Sequence, residues 1–350
     1  MTPAELTAAV KDRAVSLGFD AVGIAGATRP ERDAAALSAW LAGRKQAGMA
    51  WMARRQDVRS DPAQLLPGCR FIVAVAMSYF PGRDDAGVPP GRARVALYAR
   101  GRDYHKVLAR RLRDLSAWLE AVSTVPARTF VDTGPVLKRT WAERAGIGWI
   151  GKNANLISRE RGSWLLLGEV LTCADLTPDP GPHADFCGTC TACLDACPTE
   201  AIEAPGRVDA NRCISYWTIE HRGPIPQERR AGLGDWIFGC DVCQEVCPWN
   251  VSFAAGRTDD PFGRRDDLRG LDPIDLLELD EPAFRARYSG TSLMRAKWEG
   301  MRRNACVVLG NSGSRDALPA LRRALGDADP VVREHAAWAI DRIEGDHRSD

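Results

Sequence analysis

The chain has 350 residues, 45% apolar and 27% charged, with a net charge of +1. This composition excludes a disordered, fibrous or strongly basic protein, and the length allows about two to three domains with buried cores. No stretch approaches the roughly 18 apolar residues of a membrane-spanning helix. The longest, Phe71 to Met77, has the length of a buried strand, and the acidic, amphipathic N-terminal segment is unlike an export signal. A cytoplasmic protein is expected.

In chain order, Thr2 and Glu5 have capping-box spacing and open a helix that Gly18 should end. Phe19 to Ile24 reads as a strand, Asp33 to Gln46 as a helix and Phe71 to Met77 as an apolar strand. Tyr104 to Ala121 repeats apolar residues at helical spacing. Arg128 to Val131 is a short strand that delivers Asp132 to a turn, and Val136 to Ala145 is helical. Asn155 to Ile157 and Trp164 to Leu171 complete the strands. Strands interleaved with helices predict an α/β (α+β) sandwich over residues 1–172, with parallel or mixed pairing left open.

Residues 173–250 differ in composition: a Pro-rich connection leads into a cysteine-dominated segment. Residues 251–350 hold a polar linker and helical stretches over Ser292 to Leu309, Ala317 to Leu325 and Val331 to Ile343. Segments beginning at Arg303 and Arg333 align at an offset of 30 residues, the spacing of HEAT-like helix pairs. So short an array should pack on the body of the protein.

Cys187, Cys190, Cys193 and Cys197-Pro198 reproduce the run in which three cysteines hold one [4Fe-4S] cluster and the fourth reaches a second. Cys240, Cys243 and Cys247-Pro248 form a partial copy without its leading cysteine, for which Cys213 is the natural replacement. One cluster is therefore expected on Cys187, Cys190, Cys193 and Cys247, the other on Cys197, Cys213, Cys240 and Cys243. Disulfides and zinc fit this pattern poorly. Cys69, Cys173 and Cys306 lie beside apolar segments and read as buried spectators. The chain lacks G-x-G-x-x-G at a strand-to-helix junction, so a dinucleotide site is not indicated.

Charge is locally concentrated. Eight Lys and Arg residues lie between Arg92 and Arg113 against one acid, Asp103. A second group comprises Arg285, Arg287, Arg295, Lys297, Arg302 and Arg303, opposed by Glu299. Such fields can attract a polyanion, but on charge alone a pair of solvated helix faces is the favoured reading.

Val131 to Ser158, Gly162 to Thr172, the cysteine run, Cys213 to Pro226 and Phe238 to Asn250, with Tyr98 to Leu108, together resemble the epoxyqueuosine reductase family. The resemblance implies a cobalamin-dependent enzyme with two [4Fe-4S] clusters that reduces epoxyqueuosine to queuosine at the tRNA wobble position. It implies Asp132 as the general acid, where a bare Asp after a strand would otherwise read as a helix N-cap. Lys138 stands where the family often has Glu, which puts any inherited role at that position in doubt. Lys152, Asn153, Asn155, Leu156, Ile157, Ser158 and Ser163 are expected around the corrin, with Ser215, Glu220 and Asp241 on the cluster side. For tRNA, Arg100, Arg102, Tyr104 and His105 come first, because Arg pairs with phosphate and aromatic rings stack on unpaired bases. Arg295, Lys297, Arg302 and Arg303 come second.

A low-potential donor such as flavodoxin or ferredoxin would supply electrons to a monomer. Two other readings compete: a dehalogenase-like cobalamin reductase acting on a small molecule, and a ferredoxin-like carrier. Against the first stands the lack of a twin-arginine leader; against the second stands the long domain before the cysteines.

Overall fold

Helix α1 (Pro3–Ser16) begins at the expected capping box: the Thr2 hydroxyl accepts from Glu5 N, and Glu5 accepts from Thr2 N. It ends at Gly18, whose φ of +83° suits a residue without a Cβ. The computed structural model describes residues 1–82, 87–89 and 91–346.

Four strands follow: β1 (Ala21–Gly26), β2 (Phe71–Ser78), β3 (Ala127–Phe130) and β4 (Leu165–Thr172). They form one sheet in the order β1-β2-β4-β3, and every neighbouring pair is antiparallel. The pairing left open by the sequence is thus neither parallel nor mixed. β1 starts two residues later than expected, because Phe19 turns into the core after Gly18. Helix α2 (Glu31–Ala42) stops short of Gln46, where Gly43 and a positive φ at Arg44 break the helix.

The continuous apolar runs of β2 and β4 are explained by burial on both faces. Val73, Val75, Met77, Leu166 and Val170 pack beneath α1 and α3 (Tyr104–Ser123). Ile72, Ala74, Ala76, Leu167 and Leu171 face Trp141 of α4 (Lys138–Arg144). Glu169 occupies the centre of that second face, paired in register with Ala74 and Phe130.

Beyond the sheet, short helices Ala192–Asp195 and Val242–Glu245 carry Cys193 and Cys243. The C-terminal part comprises α5 (Pro273–Glu278), α6 (Glu281–Tyr288), α7 (Lys297–Ser312), α8 (Leu318–Ala324) and α9 (Pro330–Asp346). The helix expected from Ser292 to Leu309 is broken. A 3₁₀ turn over Ser292–Arg295 precedes α7, and Lys297 takes a φ of +64° at the junction. As expected, this array packs on the body: its core includes Ala93, Val95, Ile237 and Phe238. Strand Ala93–Val95 pairs with both Trp236–Phe238 and Gly270–Leu271, joining the three parts of the chain. His335 adds a polar link, accepting at Nε2 from Ile225 N (3.1 Å), and burial pushes its pKa down to about 3.

Candidate active site

The thiols of Cys187, Cys190, Cys193 and Cys247 act on one another electrostatically and line a single cavity. Cys197, Cys213, Cys240 and Cys243 are linked in the same way, and Cys243 also feels Cys193, so the two sets are neighbours. Each set draws three cysteines from one half of the motif region and one from the other, as the spacing predicts. Two sets of four cysteines, each shared between the two halves of the motif region, fit two [4Fe-4S] clusters. Trp149 Nε1 donates to Cys187 Sγ (3.5 Å), and Ala201 N to Cys197 Sγ (3.3 Å), which helps carry the negative charge of a reduced cluster. Of the spectator cysteines, Cys306 is buried, whereas Cys69 and Cys173 are only half-buried.

Asp132 stands at the end of β3 with its side chain 47% exposed. It is not a helix cap: the N-cap of α4 is Leu137, which makes no side-chain capping bond. Lys138, at the first position of α4, puts its ammonium in contact with Asp132 Oδ1. His105 Nε2 lies 3.7 Å from Oδ2, while His105 Nδ1 is held by Asp103 at 2.7 Å. His105 therefore belongs to the acid as much as to any RNA surface.

Behind Lys138 lies Glu169, fully buried, with neither carboxylate oxygen hydrogen-bonded. Burial pushes Glu169 up to about 8 and Lys138 down to about 8, while each charge opposes the other's shift. Folded Glu169 thus keeps its proton from the ordinary carboxylate range up to about pH 8, where an unfolded chain releases it. The folded state binds more protons across that window, so stability falls as pH rises through it. Lys138 works in the opposite sense above about pH 8. Glu169→Gln should flatten the decline and stabilise the protein at pH 8 by on the order of 3 kcal/mol. Thermal melts across this range measure it; an unchanged slope would mean that Glu169 is ionised in the fold.

Next to Lys138, Arg139 donates to the Ala154 carbonyl and lies within electrostatic reach of Cys243. It is crowded by protein yet open to solvent, the condition of a side chain lining a deep cleft. Tyr98, Cys213, Cys240 and Cys243 are half-buried, and burial raises the pKa of each. Two successive residues of α4 therefore lie between Asp132 and the second cysteine set: Lys138 touches Asp132, and Arg139 is within electrostatic reach of Cys243.

The structure narrows the expected corrin residues. Lys152 donates to the carbonyls of Gly188 (2.7 Å) and Cys190 (2.9 Å), and Ile157 borders the first cysteine set, so both serve that side. Leu156 is buried in the core against α4. Ser163 Oγ accepts from Gln244 and Asn250, and Asn153 donates to the Cys243 carbonyl. Ser215 sits against the Cys213 sulfur, and Glu220 is paired with Arg295 at 2.8 Å. Asp241 is buried, accepts from Leu97 N (2.6 Å) and is pushed up to about 6 by burial. Asn155 and Ser158 remain beside Ala154 on the loop that Arg139 grips.

The RNA candidates also divide. Arg302 and Arg303 were expected at the surface and are instead buried. Arg302 pairs with Asp327, and Arg303 donates to three backbone carbonyls. Tyr104 is buried, and Arg100 is half-buried with Nε on the Val95 carbonyl. Arg102, Arg295 and Lys297 are exposed. The two basic segments meet: Arg102 forms a β-bridge with Thr291, and Asp103 N donates to the Gly290 carbonyl at 2.7 Å. Arg295 lies within electrostatic reach of Tyr98 and Tyr104, bringing this basic edge to the cleft.

Sulfur sets that can pass single electrons, leading to groups that can supply protons, define an iron–sulfur oxidoreductase. Family profiles agree: residues 186–250 match a 4Fe-4S double cluster binding domain, and residues 292–349 match HEAT repeats. Residues 59–133 match "Epoxyqueuosine reductase QueG, DUF1730". An epoxyqueuosine reductase of Xanthomonas campestris pv. campestris is 45% identical over 347 residues, covering 97% of this chain and 96% of the relative. The crystal structure of an epoxyqueuosine reductase with an epoxyqueuosine-modified tRNA-Tyr stem loop superposes with a TM-score of 0.90 at 32% identity, covering 97% of this chain and 90% of that one. A Bacillus subtilis epoxyqueuosine reductase, whose catalytic aspartate loop is swung out of the active site, gives 0.88 at 31% identity, with 97% and 90% covered. The chain belongs to the epoxyqueuosine reductase family.

Proposed function

We propose that this protein reduces epoxyqueuosine to queuosine in tRNA, with Asp132 as the acid that protonates the departing oxygen. The carrying observation is that Asp132 and the second cysteine set are linked through consecutive residues, Lys138 and Arg139. Its cofactors are two [4Fe-4S] clusters and cobalamin. Cobalamin supplies a strongly reducing cobalt centre that couples single-electron delivery to opening of the epoxide. Arg139, Asn155 and Ser158 would hold it, and the cleft fits a group lying between acid and cluster.

Electrons enter at the first cluster, where Cys190 and Phe186 are exposed. They come from a separate low-potential protein such as a flavodoxin or ferredoxin. Arg102, Arg295 and Lys297 take the RNA backbone, with Lys297 held in a strained conformation of the kind that concentrates at functional sites. Among the described residues no helix is long and apolar enough to cross a membrane; we read the enzyme as a cytoplasmic monomer, in keeping with a tRNA substrate.

Anaerobically reconstituted enzyme, given a low-potential reductant and tRNA carrying epoxyqueuosine, should yield a nucleoside lacking one oxygen by mass spectrometry. Cys213→Ser should lower this at least ~10²-fold by starving the second cluster of a ligand. Failure of the fully loaded wild type to convert this RNA would overturn the reading.

A further inference from the structure

Conversion of an epoxide to an alkene and water requires two electrons and two protons. Both protons end on the same oxygen: one as the first C–O bond breaks, the second as the remaining C–O bond breaks and the C=C bond forms. The clusters supply the electrons. A single carboxyl carries one proton, so after the first transfer it must be recharged before the oxygen can depart as water.

Resting on the reading above, we propose that Lys138 recharges Asp132, so that the acid of this enzyme is an Asp132–Lys138 pair and its second proton comes from the lysine ammonium. The contact is direct: the Lys138 ammonium meets Asp132 Oδ1. Once Asp132 has given the first proton it is a carboxylate paired with Lys138, and the second proton then comes from the Lys138 ammonium that touches it. Lys138 is surrounded on every side by groups that set its charge. Arg59, from the helix Gln56–Ser60, and the adjoining Arg139 both favour loss of its proton. Asp132 and Glu169 favour retention, but Glu169 is fully buried without a hydrogen-bond partner and is itself held protonated up to about pH 8. On the far side of Asp132, His105 Nε2 faces Oδ2 at 3.7 Å, with its Nδ1 fixed by Asp103. Burial leaves Lys138 at about 8, so it is charged at neutral pH yet gives up its proton far more readily than a surface lysine. An arginine at the same position keeps the charge but cannot release a proton in this range.

Lys138 acts through Asp132 and is a positioning residue with a proton to give, which separates it from a purely structural ion pair. The experiment uses the holoenzyme and an epoxyqueuosine-bearing stem loop under single-turnover conditions from about pH 6 to about pH 9. Wild type should hold its rate up to about pH 8 and then lose it. Lys138→Arg and Lys138→Met should both be slower at neutral pH by on the order of 10²-fold, lack the limb near pH 8, and bind the stem loop as tightly as wild type. A second readout is independent of turnover: reductively ¹³C-methylated protein should show one lysine resonance titrating near pH 8 that is missing from Lys138→Arg. Wild-type rate and pH profile in Lys138→Arg would overturn the proposal, because charge alone would then suffice. A Lys138 resonance titrating in the ordinary lysine range would overturn it even if the variants failed to fold. Lack of conversion by wild type at every pH would instead reject the parent reading, and this inference with it.

Discussion

Replacing Asp132 by asparagine should leave both clusters reducible and the stem loop bound, yet lower epoxide conversion by about 10²–10⁴-fold. Asn preserves the shape and exposure of the side chain but has no acidic proton, so the loss isolates proton transfer from packing. Two structural facts set the expected size. Asp132 does not cap α4, so little helix stability is lost with its charge. It is also the carboxylate on which Lys138 and His105 converge, so removing it disconnects both from the cleft. Single-turnover nucleoside mass spectrometry on the loaded variant measures the effect. Conversion retained within about threefold of wild type would mean that Lys138 or His105 donates directly and Asp132 only holds them.

The cysteine pattern was readable because its chemistry is local. C-x2-C spacing and the Cys-Pro closure specify which sulfurs can meet, and even the exchange of Cys197 and Cys247 follows from the motif. The capping box at Thr2 and the two-sided apolar run of β2 were legible for the same reason. Sheet order was not, because the β2–β4 pairing joins residues almost a hundred positions apart and nothing in either strand names its neighbour. Glu169 is the instructive omission. A lone acid in the middle of the apolar strand LLLGEVLT was a visible signal of a special environment. Without the fold, however, its neighbour Lys138 could be seen only as a reversed charge in a motif. His105 was assigned to RNA from its basic surroundings, whereas Asp103 and the start of α3 turn it toward Asp132.

Arg303 shows the same limit more sharply, since a run of basic residues is identical in sequence whether it faces water or carbonyl groups. In the fold Arg303 is 2% exposed and donates to the carbonyls of Trp217 (2.8 Å), His221 (3.1 Å) and Gly223 (2.9 Å). Asn304 beside it donates to the carbonyls of Thr218 and Ile237, both at 2.9 Å. Together they bind α7 to the segment just after Cys213, so the C-terminal helices brace a loop that carries one of the second set's sulfurs. Burial without a carboxylate partner holds the Arg303 pKa down to about 10, yet the group stays charged near neutral pH because three carbonyl dipoles share its protons. Arg303→Met should therefore cost on the order of 3–5 kcal/mol, leaving those carbonyls buried and unpaired. Below its lowered melting temperature, the variant should keep wild-type affinity for the stem loop and wild-type salt dependence. Lys297→Ala should do the reverse: an unchanged melting temperature, weaker binding and a shallower salt slope. Thermal melts and RNA titrations at two salt concentrations separate the two. If Arg303→Met melted like wild type but lost RNA affinity, the arginine would be reaching solvent after all, and the brace between α7 and the cluster segment would have to be given up.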